Sequence, residues 1–351
     1  MLTHFQYKDE MMINKLFNKG ILSALAVCIT APLFASEINV YTHRHYATDK
    51  KLNEMFTKET GIKVKIVKGK SSQLLKRLEI EGEYSPADIL VTVDAGRLQI
   101  AKSKGLLQSI SSDELNKKIP SHLRDPDGMW YGLTKRARVI VYSKDRVDPK
   151  ELSTYEDLAN PKWKGKIAIR SSNNVYNQSL LASLIAHNGE EASEKWAKGV
   201  VENFARKPKG NDKDQAKAIV AGIADIAVMN TYYIGRMANS KSLSEKEIAR
   251  EIGVFFPNQD GRGTHVNISG IGVTKHSKNR ENAIKYIEFL ASKKAQTIYA
   301  KANYEYPVLD GVSSSKLVES WGTFKEDSLP MNTLGELNSK AVKIFDKAGW
   351  R

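Results

Sequence analysis

Disulfides cannot hold this protein together, because its 351 residues contain one cysteine, Cys28, and that residue lies in an apolar N-terminal run. Cysteine ligation of a metal is excluded for the same reason. No segment beyond that run is apolar enough to cross a membrane. Repeats and low-complexity tracts are missing, which argues against a solenoid or an adhesin. The chain also lacks a G-x-S-x-G elbow, an H-E-x-x-H helix or any other nucleophile–base signature, so an exported enzyme is not the expected reading. Acidic residues are in deficit: 40 Asp and Glu stand against 54 Lys and Arg, a net charge of +14. The lysines spread along the whole length and form no stripe, so nucleic acid is not an expected partner. A solvated basic surface, suited to an anionic membrane or ligand, is the expected meaning.

Lys15 and Lys19 precede the apolar run from Ile21 to Phe34, which is too short to span a bilayer. Ala35 is small enough to end a cleavage site, although Leu33 is less typical at the −3 position. Residues 1–35 therefore read as a secretory signal peptide, with Met11 or Met12 as alternative starts, and the mature chain as periplasmic. Cys28 follows Leu25-Ala26-Val27, a poor lipoprotein signal, so no lipid anchor is expected. A mature chain of roughly 315 residues can bury a core without disulfides, and is long enough for two domains.

Strand and helix alternate after Ser36. Ile38–Tyr41 reads as a strand, followed by a loop with His43, Arg44, His45 and Tyr46. A helix then carries Asp49 early and ends at Gly61. Val64–Val67 is a second strand, SSQLLKRLEIEG a helix capped by Ser71 or Ser72, and ADILVTVD a strand ending at Asp94 before another helix. Residues 108–133 look irregular. TKRARVIVYSK suits a long strand crossing between lobes. A second series follows: strand Lys166–Arg170, a helix stopping at Gly189, a helix over 192–201, and a helix over 215–221. The apolar strand Ala224–Met229 comes next, with Asn230 or Thr231 as cap of a helix beginning at Tyr232 and Tyr233. GVFFPNQDGRGTHVNISGIGVTKH suits a crossing back, 279–301 one helix, and about 330–347 a helical tail packed by Trp350. The expected architecture is a bilobal α/β protein. Each lobe is a mostly parallel sheet flanked by helices, with crossing strands joining them. Lobe one takes 36–133 plus about 260–312, and lobe two 134–259 plus about 313–351. Ligands of such sheets bind beyond the carboxyl ends of the strands, here the cleft between lobes.

Tyr46, Tyr176, Tyr232 and Tyr233 each follow a strand within a few residues and stand at the start of a helix. The first belongs to lobe one and the others to lobe two, so all are placed to face one cleft, with His45 beside them. Taken singly, each ring is as well explained by packing. Convergent phenols suit a hard, highly charged cation, because a phenol titrates near 10 and needs strong local positive charge to ionise at neutral pH. Three phenolates would neutralise Fe(III).

The strings RHYATD, SSNNVYNQSLLAS, KGNDKDQAKAIVAG and DIAVMNTYYIGRM, in that order, resemble the periplasmic ferric-iron-binding proteins of ABC transporters, in the ferric-binding and cyanobacterial iron-uptake branches. The resemblance covers essentially the whole mature chain. It implies a class II periplasmic-binding-protein fold that closes on iron and delivers it to an inner-membrane permease with its ATPase, acting as a monomer and not as an enzyme. It implies Tyr46, Tyr176, Tyr232 and Tyr233 as ligands and His45 as a fifth ligand or near neighbour. Arg136 resembles an arginine that stands behind the ligands in that family, and Asn211, with Asp212, lies on a lobe-two loop that would approach the site. The metal implied is Fe(III), with Fe(II) a second species the site could hold. Branches that use an acidic ligand with a bound anion fit less well, since no acidic residue stands at a matching junction. The same fold binding a small organic cation or oxyanion is the alternative. Arg138, Asp212, His43 and His265 are weaker candidates, each also explained as an ion pair, a turn, or a surface or hinge residue.

Overall fold

Apolar residues at alternate positions build β1 (Glu37–Thr42), the first strand of a computed structural model that describes residues 36–44 and 46–351. The signal-peptide reading, Cys28 and the position of His45 lie outside the described residues. Helix α1 (Ala47–Thr60) follows and ends where expected, at Gly61 with φ 75°. Strand β2 (Lys63–Lys68) is an edge strand whose Lys63, Lys65 and Lys68 face solvent, which blunts the edge. Helix α2 (Ser71–Glu81) begins one residue earlier than a serine cap requires. The Ser71 hydroxyl instead meets Thr92 Oγ1 at 3.1 Å, so neither serine caps the helix. β3 (Ile89–Val93) is buried at all five positions, and Asp94 caps α3 (Ala95–Ser103). The stretch expected to be irregular contains the short helix α4 (Asp113–Lys118), capped by Ser112.

β4 (Tyr131–Ser143) is the long crossing strand. Its first half, through Ala137, pairs with β8 (Val266–Val273), and its second half, from Arg138, pairs with β6 (Ile226–Asn230) and β7 (Ile252–Phe255). β5 (Ile167–Ala168) adds to β6, and β9 (Tyr306–Pro307) to β4, giving the order β2-β1-β3-β8-β4-β6-β5. The β1–β2, β1–β3 and β5–β6 pairs are parallel, as strand–helix alternation predicts. Pairings made by β4 and β8 are antiparallel, so both sheets are mixed where the crossing strands join them. The chain crosses back between β7 and β8.

Helix α5 (Val175–Glu202) spans both helices expected there and breaks at Gly189, whose φ of 80° leaves the helical region. α6 (Asp212–Val220), α7 (Thr231–Ala238) and α8 (Leu243–Glu251) complete this half. The single helix expected over 279–301 is two, α9 (Arg280–Leu290) and α10 (Lys293–Asn303), because Ser292 caps the second. Three further helices close the chain: α11 (Lys316–Glu319), α12 (Met331–Glu336) and α13 (Asn338–Ala348). Trp350 is buried after them, against Trp196, Phe204 and Phe345, and its indole N–H donates to Arg170 O at 3.0 Å. No helix among the described residues is long and apolar enough to cross a membrane.

Candidate metal centre

Three strand-to-helix junctions bring the four tyrosines together. At the first, the chain leaves β1 and is pinned by Thr42, whose hydroxyl donates to Arg44 O at 2.7 Å and accepts from Arg44 N–H at 2.9 Å. The buried Arg44 guanidinium donates to both Glu305 oxygens, at 3.1 and 2.8 Å, to Asp49 at 3.0 Å and to Thr134 at 3.1 Å. Asp49 in turn accepts from Tyr46 N–H at 2.9 Å, and Arg44 lies 4.8 Å from the centre of the Tyr46 ring. Backbone and ring of Tyr46 are thus fixed by one ion-paired cluster. Burial, reinforced by Glu305 and opposed by Arg44, pushes its phenol above the ordinary value.

Tyr176 is the second residue of α5. The turn before it is stapled by side chains of the next turn: Asn177 donates to Arg170 O at 2.8 Å, and Gln178 to Ser172 O at 2.9 Å. Three arginines surround the Tyr176 ring, with Arg136, Arg138 and Arg170 at 5.4, 5.8 and 5.5 Å from its centre. Arg138 donates to Asn177 Oδ1 at 2.6 Å and Asn230 Oδ1 at 3.2 Å, tying β4 to the junctions of Tyr176 and Tyr232.

Tyr232 and Tyr233 lie in the first turn of α7. Asn230 stands before this helix but does not cap it, because its side-chain oxygen accepts from Arg138. Thr231 begins the helix and takes the N–H of Ala137 at 3.3 Å. Adjacent helical residues diverge by about 100°, yet these two rings pack at 4.3 Å between centres and 30° between planes. The Tyr232 hydroxyl meets that of Tyr176 at 3.3 Å. Burial, together with the nearby phenols of Tyr176, Tyr46 and Tyr233, holds the Tyr232 phenol well above its ordinary range. Tyr233 is pushed up to about 12, again chiefly by burial. One turn on, Arg236 reaches across to 5.1 Å from the Tyr46 ring.

The remaining candidates divide. Arg136 stands behind Tyr176, while Asn211 is exposed and only caps α6, accepting from Lys213 N–H at 2.9 Å. Its neighbour Asp212 is the buried group, between Arg138 at 3.6 Å and Arg170 at 3.7 Å. His43 is half-buried at the end of β1. His265 is buried at the crossing, its imidazole pushed down to about 3 by burial with Arg138 and Arg136 nearby. Arg44, Arg170, Arg236 and Glu305 were not singled out by the sequence. Arg236 alone carried a local signal, three residues after Tyr233 on the same helix face. Among the described residues no three His, Cys, Asp or Glu side chains gather as a metal site. The donors that do gather are phenol oxygens, which are hard and, once ionised, anionic.

A family model described as bacterial extracellular solute-binding protein matches residues 85–325. The chain is 55% identical over 315 residues to iron uptake protein A1 of Synechocystis, covering 90% of this chain and 88% of that protein. Among solved structures it is similar to the Trichodesmium protein IdiA (FutA) in complex with iron and citrate ligands, at 53% identity and a TM-score of 0.88, covering 90% of this chain and all of that one. The ferric binding protein of Campylobacter jejuni gives 48% identity and a TM-score of 0.85 over the same shares. With the two-lobed α/β architecture of these structures, the chain belongs to the bacterial extracellular solute-binding proteins, in the group of iron-uptake and ferric-iron-binding proteins.

Proposed function

We propose that this chain is the solute-binding component of an iron(III) ABC transporter. It captures ferric ion in the inter-lobe cleft through the phenolate oxygens of Tyr46, Tyr176, Tyr232 and Tyr233, with His45 as a fifth ligand or near neighbour. It works in the periplasm as a monomer, without catalysing a reaction, and hands the ion to an inner-membrane permease with its ATPase. Lobe one is formed by 36–133 plus about 260–312 and lobe two by 134–259 plus about 313–351, so that Tyr46 comes from one lobe and the other three phenols from the second.

The observation that carries this reading is the convergence of four phenols from three separate junctions, with the Tyr176 and Tyr232 oxygens already 3.3 Å apart. Packing asks for one partner per buried hydroxyl, whereas Tyr232 has the phenols of Tyr176, Tyr46 and Tyr233 about it. The names of the relatives, iron uptake protein and ferric binding protein, support the same cargo.

Charge favours the trivalent ion. Arg44, Arg136, Arg138, Arg170 and Arg236 meet the rings, and Asp49, Glu305, Asp94 and Asp212 are the carboxylates about them, a surplus of one positive charge. Fe(III) with four phenolates carries one negative charge and is matched by that surplus. Fe(II) with the same ligands leaves the buried site negative, so it is the weaker of the two cargoes.

The test is titration of the purified mature protein with ferric citrate. A visible phenolate-to-iron charge-transfer band and a rise in thermal midpoint are expected. A colourless protein whose midpoint does not move would reject the reading and favour an organic cation or oxyanion as cargo.

A further inference from the structure

Asp94 holds its backbone at φ 83° and ψ 123°, a region that residues with a side chain rarely occupy, and it is fully buried. Its Oδ1 accepts from Gly96 N–H at 3.0 Å and from the Ser179 hydroxyl at 2.7 Å. Its Oδ2 accepts from the Asn267 amide at 3.0 Å and lies 3.4 Å from Arg136 Nη2. Arg136 and Asn267 are register partners on the two strands β4 and β8. Ser179 is one turn beyond Tyr176 on the same face of α5, and Arg136 lies over the Tyr176 ring. A single carboxylate therefore grips Tyr176 twice, through its helix and through the cation on its ring, and ties both grips to β4 and β8.

An ordinary helix cap does not explain this arrangement. Asn or Ser would cap α3 as well, and Gly would suit the backbone better. Only an ionised carboxylate can accept from all four donors at once while balancing the buried Arg136.

We infer that Asp94 is a positioning residue for metal capture: it sets where the Tyr176 oxygen stands in the cleft without touching the ion. This rests on the reading of Tyr176 as an iron ligand. Two substitutions separate the role from plain structural support. Asp94→Asn keeps the cap and the shape but loses the charge facing Arg136, and Ser179→Ala removes only the hydroxyl.

Each is made in the wild-type chain and in Tyr176→Phe, and ferric affinity is read from the charge-transfer band in competition with citrate. Each change is expected to weaken ferric binding by about tenfold in the wild-type chain, the scale of one charge-assisted contact. In Tyr176→Phe, where no oxygen remains to be positioned, neither should weaken it further, because residues acting through one group are not additive. Equal losses in both backgrounds, or wild-type affinity in both variants, would overturn the positioning role. If Asp94→Asn fails to fold, Ser179→Ala decides alone. If the unmodified protein binds no ferric ion, the reading of the site falls first and this inference with it.

Discussion

The hydroxyls of Tyr176 and Tyr232 stand 3.3 Å apart although 56 residues separate them in the chain. One phenol donates to the other, so each is poised to stabilise the first phenolate formed. Replacing either by phenylalanine keeps the ring and removes the oxygen. Ferric affinity should fall by about a hundredfold or more for Tyr176→Phe, Tyr232→Phe and Tyr233→Phe, on the order of 3 kcal/mol each. The metal-free thermal midpoint should stay within a few degrees of wild type, on the order of a surface substitution. Titration by absorbance checks this, and unchanged binding in any one variant would assign that ring to packing.

Capture should be opposed by acid. A phenol is ordinarily protonated at neutral pH, and burial pushes Tyr233 further up, to about 12, so the ion must displace protons to bind. Affinity for free ferric ion is therefore expected to rise with pH from roughly 6 to 8, and an unbuffered titration to release protons in step with iron bound. Binding without proton release would mean that the phenols do not ligate.

Gly235 tests closure of the cleft. An added Cβ would overlap Tyr304 Cβ and Cγ, and Cβ cannot swing away by side-chain rotation because it moves only with the backbone. Gly→Ala in a helix ordinarily stabilises by about 0.5–1 kcal/mol. Here Gly235→Ala should instead prop the lobes apart, weakening ferric binding while the metal-free protein is as stable as before or more so. Small-angle scattering should show no compaction with iron. Wild-type compaction would show that the contact yields.

Glu156 gives a stability signature away from the metal. Burial would raise its carboxyl, but the Asn258 and Asn188 amides and Arg262 outweigh that, and it is lowered from 4.5 to about 2. A depressed carboxylate stabilises the folded state above its unfolded value and loses that contribution as pH falls through the folded one. Glu156→Gln should cost about 1 kcal/mol at pH 7, allowing for solvent screening of a side chain 36% exposed. The gap should close between about pH 4.5 and 2, as followed by acid unfolding curves of both proteins.

Much of the site was legible because it rests on short-range pattern. Each tyrosine follows an apolar strand and opens a helix, and that junction is written in adjacent residues. What was not legible comes from distance along the chain. Glu305 meets Arg44 across 261 residues, and no local pattern announces the pair. Asn211 and Asp212 were equivalent in sequence, and only the turn of the helix decided that one caps it while the other is buried against two arginines. The serine cap of α2 failed for a related reason: Ser71 found a tertiary partner in Thr92, and that bond outcompeted a local one. The antiparallel pairings of β4 and β8 were likewise invisible, since strand–helix alternation reports only connections made within a lobe.

Trp350, one residue from the end of the chain, supports the carbonyl of Arg170, and Arg170 faces the Tyr176 ring. A residue some 300 positions after Tyr46 therefore buttresses the turn that presents Tyr176 beside it. Losing the Trp350 indole would loosen a tyrosine it never touches.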